Sequence, residues 1–227
     1  MEEPAIDRKG IFEVAVFLLL IVPSMIMSSP ALGKEQPGFA IFATLAIFRD
    51  IGLTCLVVFF LWRNGEPLSG LGWKVFRVKE EAALGAALFL PVLWGEALIE
   101  WVFEWFGLSL GMSRVPQFLT AKGTGEIIFS CVLVVVAAVA EETLFRGYLL
   151  LRLKPLTGST WAAVLISSAL FSIGHGYEGA AGVGTVAILG VLLACLYVWR
   201  KSLVAPVVLH FLIDFFPLVL LPLFRLH

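Results

Sequence analysis

Three short patterns place titratable side chains in stretches that are otherwise apolar: Glu141-Glu142-x-x-x-Arg146, Phe171-x-x-x-His175 and His210-x-x-x-Asp214. Ionisable groups are expensive inside a bilayer, so they are rare there and mark functional positions by default. A carboxylate with a neighbouring imidazole is suited to taking a proton from water, and a second imidazole can donate to a developing oxyanion. Two imidazoles and two carboxylates could equally bind a divalent metal such as zinc, with a position left for water. Both routes end at hydrolysis of an acyl bond.

Helical spacing divides the work among these residues. Adjacent positions on a helix point about 100° apart, so Glu141 and Glu142 face different neighbours. Glu142 and Arg146 stand four apart on one face, which predicts an intrahelical ion pair and leaves Glu141 free to face something else. His210 and Asp214 share a stripe in the same way. His175 closes a run whose other polar side chains are Ser167, Ser168 and Ser172, while the third histidine, His227, is the last residue. A bland reading competes: a Glu-Arg pair is often glue between helices, and a lone buried histidine is often a satisfied core residue. Three such patterns, each in its own apolar run, make coincidence the less economical account.

The elements that must position these groups follow from composition. Hydrophobic residues make up 60% of the 227-residue chain and charged residues 15%, with a mean hydropathy of +0.98. Those values lie outside soluble globular norms and predict an all-α, polytopic transmembrane bundle whose first partner is the lipid bilayer. A bilayer core needs about 20 apolar residues per helix. On that scale seven spans emerge, with six to eight acceptable: Ile11 to Met27, Phe39 to Trp62, Ala82 to Phe106, Glu126 to Leu151, Thr160 to His175, Gly179 to Trp199 and Leu203 to Phe224. Neither a linker nor an internal repeat is visible, so residues 1–227 read as one membrane domain, with the three motifs within 121–217.

Charge and cysteines exclude other classes. A net charge of -1 and a pI near 6.3 leave no basic field for a nucleic-acid backbone. Cys55, Cys131 and Cys195 lie in apolar runs without CxxC or CxxH partners, so they read as packing residues rather than disulfides or metal ligands. Arg8 and Lys9 before an apolar run resemble a signal peptide, but Ser29-Pro-Ala-Leu-Gly33 lacks a small-x-small site and further spans follow, so a retained first helix is expected. With seven spans, ten Lys and Arg fall on the N-terminal side against four opposite, which predicts a cytoplasmic N-terminus. Residues 68–79 mix aromatic and basic side chains and read as interfacial.

Weaker signals remain. Arg49-Asp50 interrupts the second span and either pairs internally or lines a cavity, pairing being preferred. Glu96, Glu100 and Glu104, flanked by Trp94, Trp101 and Trp105, predict a face turned to water or to the outer interface. Gly182, Gly184, Gly190 and Ala194 give the sixth span a side suited to close packing.

The order and wording of the motifs, EETLFR at 141–146, FSIGH at 171–175 and HFLID at 210–214, resemble the CAAX protease and bacteriocin-processing (Abi) family, whose signature is EExxxR, FxxxH and HxxxN or a close variant. The resemblance covers about the C-terminal half. It implies an endopeptidase with a site recessed in the membrane and approached from the cytoplasm, acting on peptides or lipidated peptides. The best-studied relatives remove the terminal tripeptide of prenylated CAAX proteins; bacterial ones are linked to peptide processing or bacteriocin self-immunity. Carried over, Glu141 and His175 would activate water, His210 and Asp214 would steady the oxyanion, and Glu142 and Arg146 would be architectural. If a metal takes part, Glu141, His175, His210 and Asp214 are its candidate ligands.

Asp214 departs from the family pattern, because an ionised Asp accepts hydrogen bonds and cannot donate one. It is protonated, orients His210 or ligates a metal. Depth raises a second question. At 1.5 Å per residue His175 lies about 22 Å from the start of its span, whereas Glu141 and His210 lie about 15 Å and 10 Å from the matching ends of theirs. Two other functions compete with hydrolysis. A proton-coupled transporter would use the four groups as a relay, but its two halves should match and here only the second carries motifs. A catalytically inactive immunity or scaffold protein would keep the fold alone.

Overall fold

In the computed structural model, which describes residues 8–27, 38–74, 76–107 and 117–225, the chain is a bundle of helices. The helices are α1 (Arg8–Met27), α2 (Phe39–Asn64), α3 (Val78–Trp105), α4 (Thr124–Glu141), α5 (Leu150–Thr157), α6 (Thr160–Ile173), α7 (Gly179–Arg200), α8 (Val204–Phe215) and α9 (Leu221–Arg225). π-helical stretches join α4 to α5 at Glu142–Leu149 and α8 to α9 at Phe216–Leu220. Among the described residues six helical runs are long and apolar enough to cross a membrane, and Thr160–Ile173 is a shorter apolar helix. The protein is an integral membrane protein with about seven passes, as the hydropathy pattern requires. His227 and the 29–34 stretch lie outside the described residues.

Burial separates the helices into lining and scaffold. The face of α3 is turned outward, with Trp94, Trp101 and Trp105 exposed, as suits a helix bathed in lipid and tipped with interfacial aromatics. Its inner side meets α8 so closely at Gly85 that an added Cβ would stand 2.5 Å from the Ala205 carbonyl oxygen. The motif-bearing stretch 142–149 is fully buried. Phe17 of α1 and Phe60 of α2 pack on Tyr148, at ring separations of 5.8 Å and 6.3 Å.

Two expectations change. Residues 68–74 do not merely skirt the bundle: Leu71 is fully buried, Trp73 Nε1 donates to Thr143 Oγ1 at 3.1 Å and the Leu203 amide donates to the Gly72 carbonyl at 3.0 Å. The cause is the π-helical stretch, whose wider turn leaves Thr143 and Gly147 for this segment to cover. Of the cysteines, all free, Cys131 and Cys195 are half-buried, but Cys55 is exposed on the outer face of α2.

The boundaries answer the depth question for Glu141 and His175. The fourth span runs on to Thr157 rather than ending at Leu151. Glu141 therefore sits about 24 Å from that end, close to the roughly 22 Å of His175 from the start of α6. His175 itself has left the helix, in a turn with φ -98°.

Candidate active site

The π-helical stretch sets the directions of the first motif. Glu142 points inward and is fully buried, where Arg146 Nη1 donates to its Oε1 at 2.6 Å, the pair predicted by spacing. The same guanidinium donates to the Gly190 carbonyl at 3.5 Å and lies 4.1 Å above the Phe171 ring. Gly190 also lets α6 pack closely on α7, since a side chain there would press on Ser168 and Phe171. Phe171, the first residue of the second motif, packs in turn on His175 and His210 at ring separations of 4.8 Å and 5.9 Å. One aromatic ring thus ties the three motifs together.

His210 is the second link. Its Nδ1 donates to Glu142 Oε1 at 2.8 Å, a bond that spacing along single helices could not reveal. Its Nε2 lies 3.4 Å from Asp214 Oδ2 and 3.8 Å from Glu141 Oε2. Glu142 is therefore more than architecture for its own helix, because it fixes the orientation of the third motif's imidazole.

Glu141 faces the other way, into a cavity of 520 Å³ whose walls include Arg49, Asp50, His175, Tyr177 and Asp214 together with apolar side chains such as Phe42, Val134 and Phe145. Its carboxylate is 12% exposed. His175 Nδ1 lies 3.2 Å from the Phe171 carbonyl oxygen. A carbonyl only accepts, so Nδ1 carries the proton in this contact and Nε2 is the nitrogen left to face other partners. Of the sequence-predicted residues, Glu141, His175 and Asp214 share the cavity wall. His210, 2% exposed, stands behind Glu141 and Asp214.

The pair Arg49-Asp50 belongs to this site, which the preference for simple internal pairing missed. Arg49 Nε does donate to Asp50 Oδ1 at 2.8 Å, yet its Nη2 also reaches Glu141 Oε1 at 3.4 Å, and both residues line the cavity. Two charges in mid-span were the available signal. Tyr177 had none, since it sits in a turn two residues past His175.

The side chains do not fit a metal in this arrangement. Among the described residues no three His, Cys, Asp or Glu side chains form a set able to hold one. The two nitrogens of His210 are already engaged by Glu142 and Asp214.

The cavity also bears on orientation. Its lining comes from Ser24 and Met25 near the end of α1, Phe42 to Asp50 in the first half of α2, and the turn after α6. It thus occupies the half of the bundle away from the start of α1.

Residues 123–216, which hold all three motifs, match the family model described as Type II CAAX prenyl endopeptidase Rce1-like. The resemblance read from EETLFR, FSIGH and HFLID holds over that segment, and at family level it supports a CAAX-type intramembrane endopeptidase. Helices α1 to α3, with Arg49 and Asp50, lie outside the match. No curated protein and no solved structure gives a significant match to the chain.

Proposed function

We propose that this protein is an intramembrane endopeptidase that hydrolyses peptide bonds of membrane-associated substrates, prenylated CAAX-type C-termini among them. The observation that carries the reading is the meeting of Glu141, His175 and Asp214, from three separate elements, around one recessed cavity. Apolar walls exclude bulk water and strengthen every electrostatic contact inside. Glu141, with the Nε2 lone pair of His175, takes a proton from water as its oxygen bonds the scissile carbonyl carbon. The oxyanion forms, the C=O double bond is restored, the C–N bond breaks and the leaving amine takes the proton back. His210, fixed by Glu142, stands behind the two carboxylates, its Nε2 3.8 Å from Glu141 and 3.4 Å from Asp214. The step needs no metal, and none is assigned to these residues.

The test is cleavage by the purified protein in vesicles, with peptides ending in a prenylated or unprenylated CAAX sequence and the products identified by mass. Release of a C-terminal tripeptide is expected, with a preference for the prenylated peptide; failure to cleave any of them overturns the reading.

Substrate enters from the side that holds the turn at 174–178. By the Lys and Arg count that side is extracytoplasmic. Cysteines placed at Glu178 and Lys201, in a chain without its three native cysteines, should label from opposite faces. Cytoplasmic labelling at Glu178 would reverse the orientation drawn from charge and leave the site as described.

A further inference from the structure

We infer that Arg49 is a further catalytic residue of the proposed hydrolysis, donating an N–H to the developing oxyanion where Asp214 offers no donor. The inference rests on the hydrolase reading above. It starts from what the cavity presents to a substrate. His210 is 2% exposed and absent from the cavity wall, with Nδ1 on Glu142 and Nε2 between Asp214 and Glu141. Asp214 Oδ2 and Glu141 Oε2 crowd that Nε2, at 3.4 Å and 3.8 Å. The donor assigned by the resemblance is therefore screened, and the residue beside it has a carboxylate where an amide would donate.

Arg49 has the opposite properties. Among the described residues it is the one Lys or Arg on the cavity wall, and its side chain is 28% exposed. Its Nε is tethered to Asp50, itself 1% exposed, at 2.8 Å. The tether fixes the direction of the fork while using one of its five N–H groups. Nη2 stands 3.4 Å from Glu141 Oε1, while His210 approaches the other oxygen, Oε2. The guanidinium and the imidazole thus flank the carboxylate from two sides, and only the guanidinium is open to the cavity. A carbonyl attacked by a water on Glu141 lies within reach of that fork. As the water oxygen bonds the carbonyl carbon, the displaced electron pair settles on the carbonyl oxygen and accepts from Nη without proton transfer. A long contact to Glu141 can be exchanged for a short one to the oxyanion, which is a gain made only in the transition state.

The experiment measures kcat and KM for the best-cleaved peptide of the panel above, in vesicles, with folding checked by elution profile and thermal midpoint. Arg49→Met, which has no N–H to donate, should lower kcat by about a hundred- to a thousandfold, the range for losing one oxyanion donor, and leave KM within about threefold. Arg49→Lys keeps the charge and serves should the Met variant misfold; losing the fork, it should lower kcat by at least about tenfold. The readout that a structural role would not move is rescue: adding Asp214→Asn to Arg49→Met supplies an amide N–H beside the site and should restore kcat by at least about tenfold. An active parent whose Arg49→Met and Arg49→Lys forms keep kcat within about threefold overturns this inference alone, as does a change confined to KM. A parent that cleaves nothing overturns the hydrolase reading and takes the inference with it.

Discussion

Two clusters of buried charge occupy opposite halves of the bundle, and they are finished to different degrees. In the half that holds the start of α1, Glu13 is fully buried and both its oxygens are taken. Arg63 and Asn64 donate to Oε1 at 3.1 Å and 2.8 Å, and Arg152 and Tyr148 to Oε2 at 3.1 Å and 3.4 Å. Arg152 also grips Glu66 with both arms of its fork, at 2.9 Å and 2.8 Å. In the other half, Glu142 Oε2 and Asp50 Oδ2 are buried and have no hydrogen-bond partner among the described residues. The Glu141 contacts there run long, at 3.4 Å and 3.8 Å. Buried polar atoms in native proteins are nearly always satisfied, so orphaned ones call for a reason. A saturated cluster fastens helices, whereas the long contacts of Glu141 on the cavity wall can be exchanged for a water.

The contrast breaks most visibly through Arg146 and Glu13. Arg146→Ala strips the buried Glu142 of its ion-pair partner and leaves it the His210 contact alone, a change worth about 3–5 kcal/mol of stability, and should abolish folding and cleavage together. Glu13→Ala should lower the thermal midpoint too, since it strips the partner from Arg152 and Arg63, but the protein that remains folded should cleave at the parent rate. Unequal specific activity in the Glu13→Ala protein would mean that the two clusters are one machine.

His175→Ala sharpens the same comparison from the other side. It should reduce kcat by about a hundredfold, within the span of general-base effects, and leave the thermal midpoint within a few degrees. A large fall in the midpoint with kcat per folded molecule preserved would place His175 with the fasteners.

The smallest effect is expected at the join between scaffold and site. Trp73→Phe removes the hydrogen bond to Thr143 and should destabilise by about 1 kcal/mol. Any fall in kcat beyond about tenfold would show that residues 68–74 help to set the first motif.

Much of this was legible in the chain. Span positions follow hydropathy, and the Glu142–Arg146 pair follows four-residue spacing, because both are properties of a single helix. What spacing cannot convey is the relation between helices. The bond from His210 to Glu142, the Phe171 ring beneath Arg146 and the reach of Arg49 to Glu141 each join separate elements, and only packing brings them together. The π-helical stretch was equally silent, since EETLFRGYL satisfies an α-helical pattern just as well. The aromatic and basic look of residues 68–79 did not show that one side of the segment, carrying Leu71 and Trp73, packs on the bundle while Leu68 and Phe76 stay exposed.

The most direct measurement is the rate of peptide cleavage by Glu141→Gln beside the parent, at equal amounts of folded protein in the same lipid. The amide keeps the shape of the side chain and its place on the cavity wall, but it cannot take a proton from water. A fall of at least about a hundredfold in kcat with an unchanged thermal midpoint is the predicted result. Cleavage within about threefold of the parent would contradict the claim that Glu141 activates the water.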